Sequence, residues 1–498
     1  MLQLIENAHS HPSNIAINSG GNAYTYATLL ESSHQIATWI LNDQLDLQEK
    51  PVAFMVEPGF EYVATQWGIW RAGGIAVPLC ITHPLPSLTY VLEDTGATIL
   101  VVSPVYESIL RDYAAAYGLR LLVLGVNQLT EKSTLPSVAA ERSALILYTS
   151  GTTSLPKGVV TTHKNLEAQI STLIEAWEWR ATDHILCILP LHHVHGIVNV
   201  VCCSLWAGAT CTFMPSFDST AIFSLFSQQI LTVFMAVPTI YYKLISHWEQ
   251  LDTAQQSSLK KSMQAFRLMV SGSAALPVSV MEKWEQISGH RLLERYGMTE
   301  IGMAISNPLH GERRAGYIGV PLPGVSVQLV DDQFAPVSVG EPGQVLVKGQ
   351  TVFSAYWNRP KETNESFTKD EWFKTGDVAI IENGYYRIMG RQSVDIIKSG
   401  GYKISALEIE EELRKHPAIA DVAVVGIPDD EWGERVVAAI VLHDQSINPI
   451  ADLTTWLRDR IPSYRVPRVY KAVELLPRNA MGKVVKNDVK KIFNNEAV

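Results

Sequence analysis

Over the first 390 positions, short runs of Val, Ile and Leu alternate with amphipathic stretches. Residues 99–102, 121–123 and 145–147 are unbroken apolar runs, the pattern of strands buried on both faces of an α/β sheet. From about Gly324 the texture changes. Residues 325–329, 344–347 and 385–389 are shorter and alternate, which predicts antiparallel strands near a surface. Beyond Arg391 the tail reads as a small α+β unit. Residues 406–415 have helical spacing and stop at His416-Pro417, 422–427 and 436–442 are strands, and 453–461 form a helix closed by Pro462. Residues 486–493 make a short basic helix. The pattern predicts an α/β chain in two domains, 1–390 and 391–498, without repeats or a low-complexity linker.

One stretch needs weighing separately. Residues 184–217 contain no Asp, Glu, Lys or Arg, enough length to cross a bilayer. Pro190, three histidines, Asn199, Gly208 and Pro215 interrupt it, so it is read as a buried helix followed by a buried strand. Composition agrees with an ordinary globular protein: 47% hydrophobic and 18% charged over 498 residues. The net charge of −10 argues against a nucleic-acid surface, and it means that an anionic substrate must be captured by a local site. Five cysteines in odd number, with no C-x-x-C, suit a reducing compartment and no zinc site. No secretory pattern opens the chain, so the expected location is cytoplasmic and the expected state a monomer or homodimer.

The chemistry concentrates in a few segments. After the apolar run 145–147 come Thr149, Ser150, Gly151, Thr152, Thr153, Ser154, Pro156, Lys157 and Gly158. Glycine lets backbone N–H groups approach an anion, hydroxyls donate to phosphate oxygens, and lysine adds a point charge. Pro156 stands where a Walker A loop needs its second glycine, and no G-x-G occurs anywhere in the chain. By composition alone the segment is also compatible with a Ser/Thr-rich surface loop. The order of its residues, however, resembles the phosphate-binding signature of the adenylate-forming superfamily, which includes acyl-CoA synthetases, firefly luciferase and the adenylation domains of peptide synthetases.

Four further segments resemble that family's motifs in the same order along the chain. Glu294, Arg295, Tyr296, Gly297, Met298, Thr299 and Glu300 resemble the motif that holds adenine against the tyrosine and reaches Mg²⁺ through the glutamate. Asp377, after Thr375 and Gly376, resembles the ribose-binding aspartate, and Arg391 the arginine that meets the ribose at the end of the large domain. Lys483, in Pro477-Arg478-Asn479-Ala480-Met481-Gly482-Lys483, resembles the catalytic lysine of the C-terminal loop. Taken singly, Lys483, Glu300 and Asp377 read equally well as solvated or turn residues. The resemblance covers essentially the whole chain. It implies layered α/β sheets plus a distorted β-barrel subdomain in the large domain, a small mobile α+β C-terminal domain, and ATP, Mg²⁺ and CoA as cofactors.

It also implies that the C-terminal domain rotates between half-reactions, bringing Lys398, Gly400 and Gly401 to the site in place of Lys483. The paired glycines would line the pantetheine channel, though a tight turn explains the dipeptide as well. The family's hinge residue, two after the arginine, is Asp or Lys; Ser393 stands there and is read as a polar variant.

Arg295 bears on the choice of acid. The Glu-Arg-Tyr-Gly-Met-Thr-Glu form resembles the malonyl-CoA synthetase branch, and a cation is costly to desolvate unless a second carboxylate pairs with it. Residues 191–196 and 271–277 resemble the same branch. They nominate His193 or His195 as a donor to the distal carboxylate or a gate on the thiol, and Gly272, Ser273 and Ala274 as the small residues beside adenine. A structural role for the histidines stays open. The resulting expectation is ligation of malonate, and of methylmalonate, to CoA, with Lys483, Thr152, Glu300 and His193 in catalytic roles. The alternatives are another small or aromatic acid, loading of a carrier protein, or a nucleotide sensor without catalysis. Partners are small molecules, with no nucleic acid and no membrane span.

Overall fold

The structure is a computed structural model that describes residues 2–125, 134–149, 155–214, 216–400, 402–429, 431–444, 450–478 and 484–494. Its first sheet has seven strands. Pro51–Met55, Ile75–Pro78, Ile99–Val102, Arg120–Val123 and Ser143–Thr149 run parallel, and the edge is extended antiparallel by Lys157–Thr162 and Ala355–Tyr356. The apolar runs at 99–102, 121–123 and 145–147 fall inside three of these strands; the first and last are buried throughout, and on the edge strand only Leu122 is.

A second sheet of nine strands has a parallel centre formed by His184–Cys187, Thr210–Phe213, Val233–Ala236, Leu268–Ser271 and Leu293–Met298. The hairpin Ile15–Ser19 and Asn22–Thr25 completes one edge, with Ile17 opposite Cys211. The largest hydrophobic cluster draws on both sheets and on the helices Tyr26–Leu41, Phe60–Arg71 and His163–Trp177. Thr162 caps the last of these: its Oγ1 accepts from Asn165 N at 3.1 Å, and Asn165 Oδ1 accepts from Thr162 N at 2.9 Å.

The charge-free stretch is more divided than its pattern predicted. A strand, His184–Cys187, precedes the helical part, which is a π-helix over His195–Cys202 continued by Cys203–Trp206, and the strand Thr210–Phe213 follows. The extra strand is anchored by Asp183, whose carboxylate accepts from Arg267 Nε at 2.7 Å and from Thr232 Oγ1 at 2.8 Å. Among the described residues no helix is long and apolar enough to cross a membrane.

Val325–Val330, Gly343–Gly349, Phe373–Glu382 and Tyr385–Arg391 form the expected antiparallel sheet, of four strands. Past Arg391 a turn contains the exposed Ser393. The C-terminal part then has its own sheet, in which Ile419–Asp429 and Gly433–Leu442 pair along their length, and its own core around Ile409, Val424, Ile440 and Leu457. Helices Ala406–Arg414, Ile450–Arg458 and Lys486–Asn494 match the three predicted there. The fold is thus mixed α/β, with a large N-terminal and a small C-terminal domain.

Candidate active site

In open parallel sheets, ligands bind beyond the carboxyl ends of the strands. Here Leu268–Ser271 runs directly into Gly272, Ser273 and Ala274, beside Leu293–Met298 with Ser271 opposite Glu294. Arg295 lays its guanidinium against Gly272: a Cβ at that position would lie 2.4 Å from Arg295 Cζ, so only glycine permits the approach. Ser273 holds a left-handed backbone, φ +70°, uncommon without glycine. Its Oγ lies 3.0 Å from His195 Nδ1, at the first turn of the π-helix.

Arg295 is 3% exposed, and among the described residues its Nε and Nη2 have no hydrogen-bond partner. Burial pushes its pKa down to about 9, against the partial support of Glu294, so it is cationic at neutral pH. His195 is buried as well; desolvation, then the charges of Arg295 and His193, hold its imidazole neutral. The His193 ring lies 4.1 Å from that of His192, tilted by 50°, and His192 in turn is 5.9 Å from the exposed His83. This cluster therefore gathers a fixed cation, neutral imidazole and a hydroxyl, a set suited to an anion. Among the described residues no cluster of three or more His, Cys, Asp or Glu could hold a metal.

A second constellation lies further along the same strand. Tyr296 Oη donates to Asp377 Oδ2 at 2.6 Å, and Arg391 Nε is 3.1 Å from Asp377 Oδ1. The strand register fixes this, since Asp377 faces Arg391 directly. Gly376, φ +75°, makes the bend that leads into Asp377, whose N–H donates to Thr375 Oγ1 at 3.1 Å. Gly297 can take no side chain, because a Cβ would meet Gly302 O at 2.1 Å. Met298 ends the strand, and Thr299 and Glu300 form the turn after it. Glu300 is buried, and desolvation raises its carboxyl pKa against a 3.0 Å hydrogen bond from Tyr356 Oη and the charge of Arg391. Lys157, opposite Thr149 in the strand register, places its Nζ 5.2 Å from the centre of the Tyr356 ring.

Glu294 points the other way from Arg295. Its Oε1 accepts from Leu276 N at 3.0 Å, and burial, reinforced by the nearby Glu411, pushes its pKa up to about 8. Glu411 belongs to the C-terminal domain and accepts from Val278 N at 3.3 Å, so the two domains touch at the loop after Gly272. Lys398 is exposed; its N–H donates to Glu434 Oε2 at 2.7 Å, and Gly400 lies against Trp432, contacts within the C-terminal domain. Ser150, Gly151, Thr152, Thr153, Ser154, Gly401 and Lys483 lie outside the described residues.

Arg295, Tyr296, Glu300, Asp377, Arg391, Lys157, Gly272 and Ser273 are thus joined by contact or by field into one region, with His195 rather than His193 against Ser273. Tyr356 belongs to it and carries no sequence signal, since a two-residue strand has no pattern. Asn199, fully buried on the π-helix with no partner for Oδ1 and Nδ2 among the described residues, is also new.

Comparison with known proteins gives the family. Residues 4–357 match the AMP-binding enzyme model and residues 408–483 the AMP-binding enzyme C-terminal domain. The chain is 43% identical to the mitochondrial malonate–CoA ligase ACSF3 of Xenopus laevis, over 94% of this chain and 87% of the relative. It is 39% identical to the malonate–CoA ligase of Arabidopsis thaliana, over 100% and 90%. Among solved structures it superposes on ATP-bound MatB from Rhodopseudomonas palustris with a TM-score of 0.90, at 31% identity and 99% coverage of both chains. By family model, sequence and fold alike, the chain belongs to the AMP-binding, adenylate-forming enzymes.

Proposed function

We propose that this protein ligates malonate to CoA at the expense of ATP, through an enzyme-bound malonyl-adenylate. The observation that carries the choice of acid is Arg295, sealed from water with two nitrogens unpaired among the described residues. A simple alkyl chain would leave that charge uncompensated; a second carboxylate pairs with it. His195 and Ser273 complete the cradle, with His193 at its outer side as a donor to the distal carboxylate or a gate on the thiol. Methylmalonate is a second substrate, since one methyl changes binding by only ~1–3 kcal/mol. Relatives that act on malonate by name support the same reading.

In the first half-reaction the free carboxylate of malonate attacks the α-phosphorus of ATP, and the bond to pyrophosphate breaks. The residues do this by placement and charge. Tyr296 lies against adenine beside Gly272, Ser273, Ala274 and Gly297. Asp377 and Arg391 take the ribose hydroxyls. Thr149, Ser150, Gly151, Thr152, Thr153, Ser154 and Lys157 hold the phosphates, and Lys483 neutralises charge on the reacting phosphoryl group. Glu294, Met298 and Thr299 shape the strand and turn that bring these groups together. Glu300 fits Mg²⁺: this ion uses one or two carboxylates and takes its other ligands from water and substrate phosphates. When bound, Mg²⁺ offsets the charge of the triphosphate.

In the second half-reaction the CoA thiol attacks the malonyl carbonyl, the bond to AMP breaks, and the thiol proton passes to solvent. Lys398, Gly400 and Gly401 serve this step after the C-terminal domain turns about residues 391–393, the boundary we assign between the domains. Every role falls within one chain, so a monomer or a homodimer suffices. Five cysteines, all buried and free, suit a reducing compartment such as the cytoplasm, although the vertebrate relatives are mitochondrial.

Product analysis tests the reading. Purified protein with malonate, Mg·ATP and free CoA is expected to give malonyl-CoA, AMP and pyrophosphate in equal amounts. No malonate-dependent pyrophosphate release would refute it, and acyl transfer only to a carrier protein would replace its second step.

A further inference from the structure

Tyr356 has a place in none of the motifs read from the sequence, yet it touches two residues given opposite charges in the reaction. Its hydroxyl donates to Glu300 Oε1 at 3.0 Å, and Lys157 Nζ sits 5.2 Å from its ring centre. The side chain is fixed from several directions. Tyr356 pairs with Val159 on the strand that begins at Lys157, and its N–H donates to Thr363 Oγ1 at 3.0 Å. The Phe353 ring packs edge-on at 4.8 Å, and Phe353 N donates to Glu300 O at 2.7 Å. Trp357 N donates to Gly158 O at 2.7 Å, so the same short strand grips both the lysine strand and the glutamate turn.

Lys157 and Glu300 both contact the Tyr356 side chain, and opposite charges held by one residue attract each other. Among the described residues no ion pair joins Lys157 to Glu300. The phenol occupies the glutamate's oxygen, and the electron-rich ring face attracts the ammonium. Resting on the function proposed above, we infer that Tyr356 is a positioning residue of the Mg·triphosphate site: it separates Glu300 from Lys157 and aims the carboxylate at the metal and the ammonium at the phosphates. The two charges stay available for ligand instead of neutralising one another.

Two variants separate this from simple core filling. Tyr356→Phe keeps the ring, the Phe353 contact and the Lys157 contact but loses the hydroxyl; Tyr356→Leu loses both functions. The readout is equilibrium binding by calorimetry of ATP with Mg²⁺ and of ATP in EDTA, on the full-length protein. For Tyr356→Phe we expect Mg·ATP to bind about tenfold more weakly, the scale of one charge-assisted hydrogen bond, while metal-free ATP binds within about twofold of wild type. Tyr356→Leu is expected to weaken both. The Mg²⁺ concentration for half-maximal adenylation should rise in Tyr356→Phe with the KM for malonate unchanged. Wild-type-like binding of both ATP forms by Tyr356→Phe overturns the inference, as does an equal loss of both. A wild-type protein that binds neither form would instead overturn the function beneath it.

Discussion

Arg295 and Glu294 are neighbours on one strand, and alternation along the strand sends them to different surroundings. The arginine meets Gly272 and the histidine pocket; the glutamate meets Leu276 N and, across the domain contact, Glu411. Each charge is more expensive in the folded chain than in water, and the two consequences differ. For Arg295 the missing partner is supplied by substrate. For Glu294 it is a proton: the carboxyl pKa stands near 8 in the fold against 4.5 unfolded. A raised acid pKa means the folded chain holds the proton more tightly, so the contribution of this one group to stability is fully present below pH 4.5 and is lost as pH climbs through 8. The limiting slope for one proton is about 1.4 kcal/mol per pH unit. Glu294→Gln should therefore lose less stability than wild type between pH 5.5 and 7.5 when urea midpoints are compared, and parallel curves would contradict the assignment. The residues of this region were singled out by their ordered resemblance to the adenylate-forming motifs, since taken singly Glu300 and Asp377 read as solvated or turn residues. What could not be read was direction: nothing in residues 192–195 tells that His195, not His193, meets Ser273.

At the scale of elements, strands buried on both faces announced themselves, because a run of Val, Ile and Leu has few other uses in a chain of this composition. The three apolar runs below residue 150 and the antiparallel strands past Gly324 lie where the pattern puts them. Three elements had no such signal. The hairpin at residues 15–25 owes its place to pairing with a strand almost two hundred positions away, and local pattern carries no information on such a partner. The two-residue strand Ala355–Tyr356 is too short to show a period. The π-helix at His195–Cys202 is wholly apolar on most faces, so its sequence predicts a buried helix without its pitch; such segments gather at functional sites, and here it delivers His195 and Asn199 inward.

At the scale of the whole molecule, the two domains meet beside Glu294 and the segment after Gly272. Arg387 pairs with Glu408, Val278 N donates to Glu411, and Arg465 Nη1 reaches Glu408 at 2.8 Å within the C-terminal part. The separate C-terminal core was visible in the sequence from the change of texture after Arg391; the contact of Val278 with Glu411 was not, because it joins positions over a hundred residues apart. A division of labour between domains predicts separable defects. Lys483→Ala should slow malonate-dependent pyrophosphate release by about 10²–10³-fold, the usual effect of removing one stabilising donor from a transition state. Thioester formation from supplied malonyl-adenylate and CoA should stay within a few-fold of wild type, and equal loss of both steps would contradict the two-step account.

The most direct measurement compares kcat/KM for malonate and butyrate in wild type and in Arg295→Ala. If the guanidinium holds the second carboxylate, malonate should be strongly preferred by wild type. The substitution should cut that preference by roughly 10- to 150-fold, the worth of one charge-assisted bond, with butyrate turnover kept or improved. A malonate-to-butyrate ratio that is the same in both proteins would show that Arg295 does not select the acid.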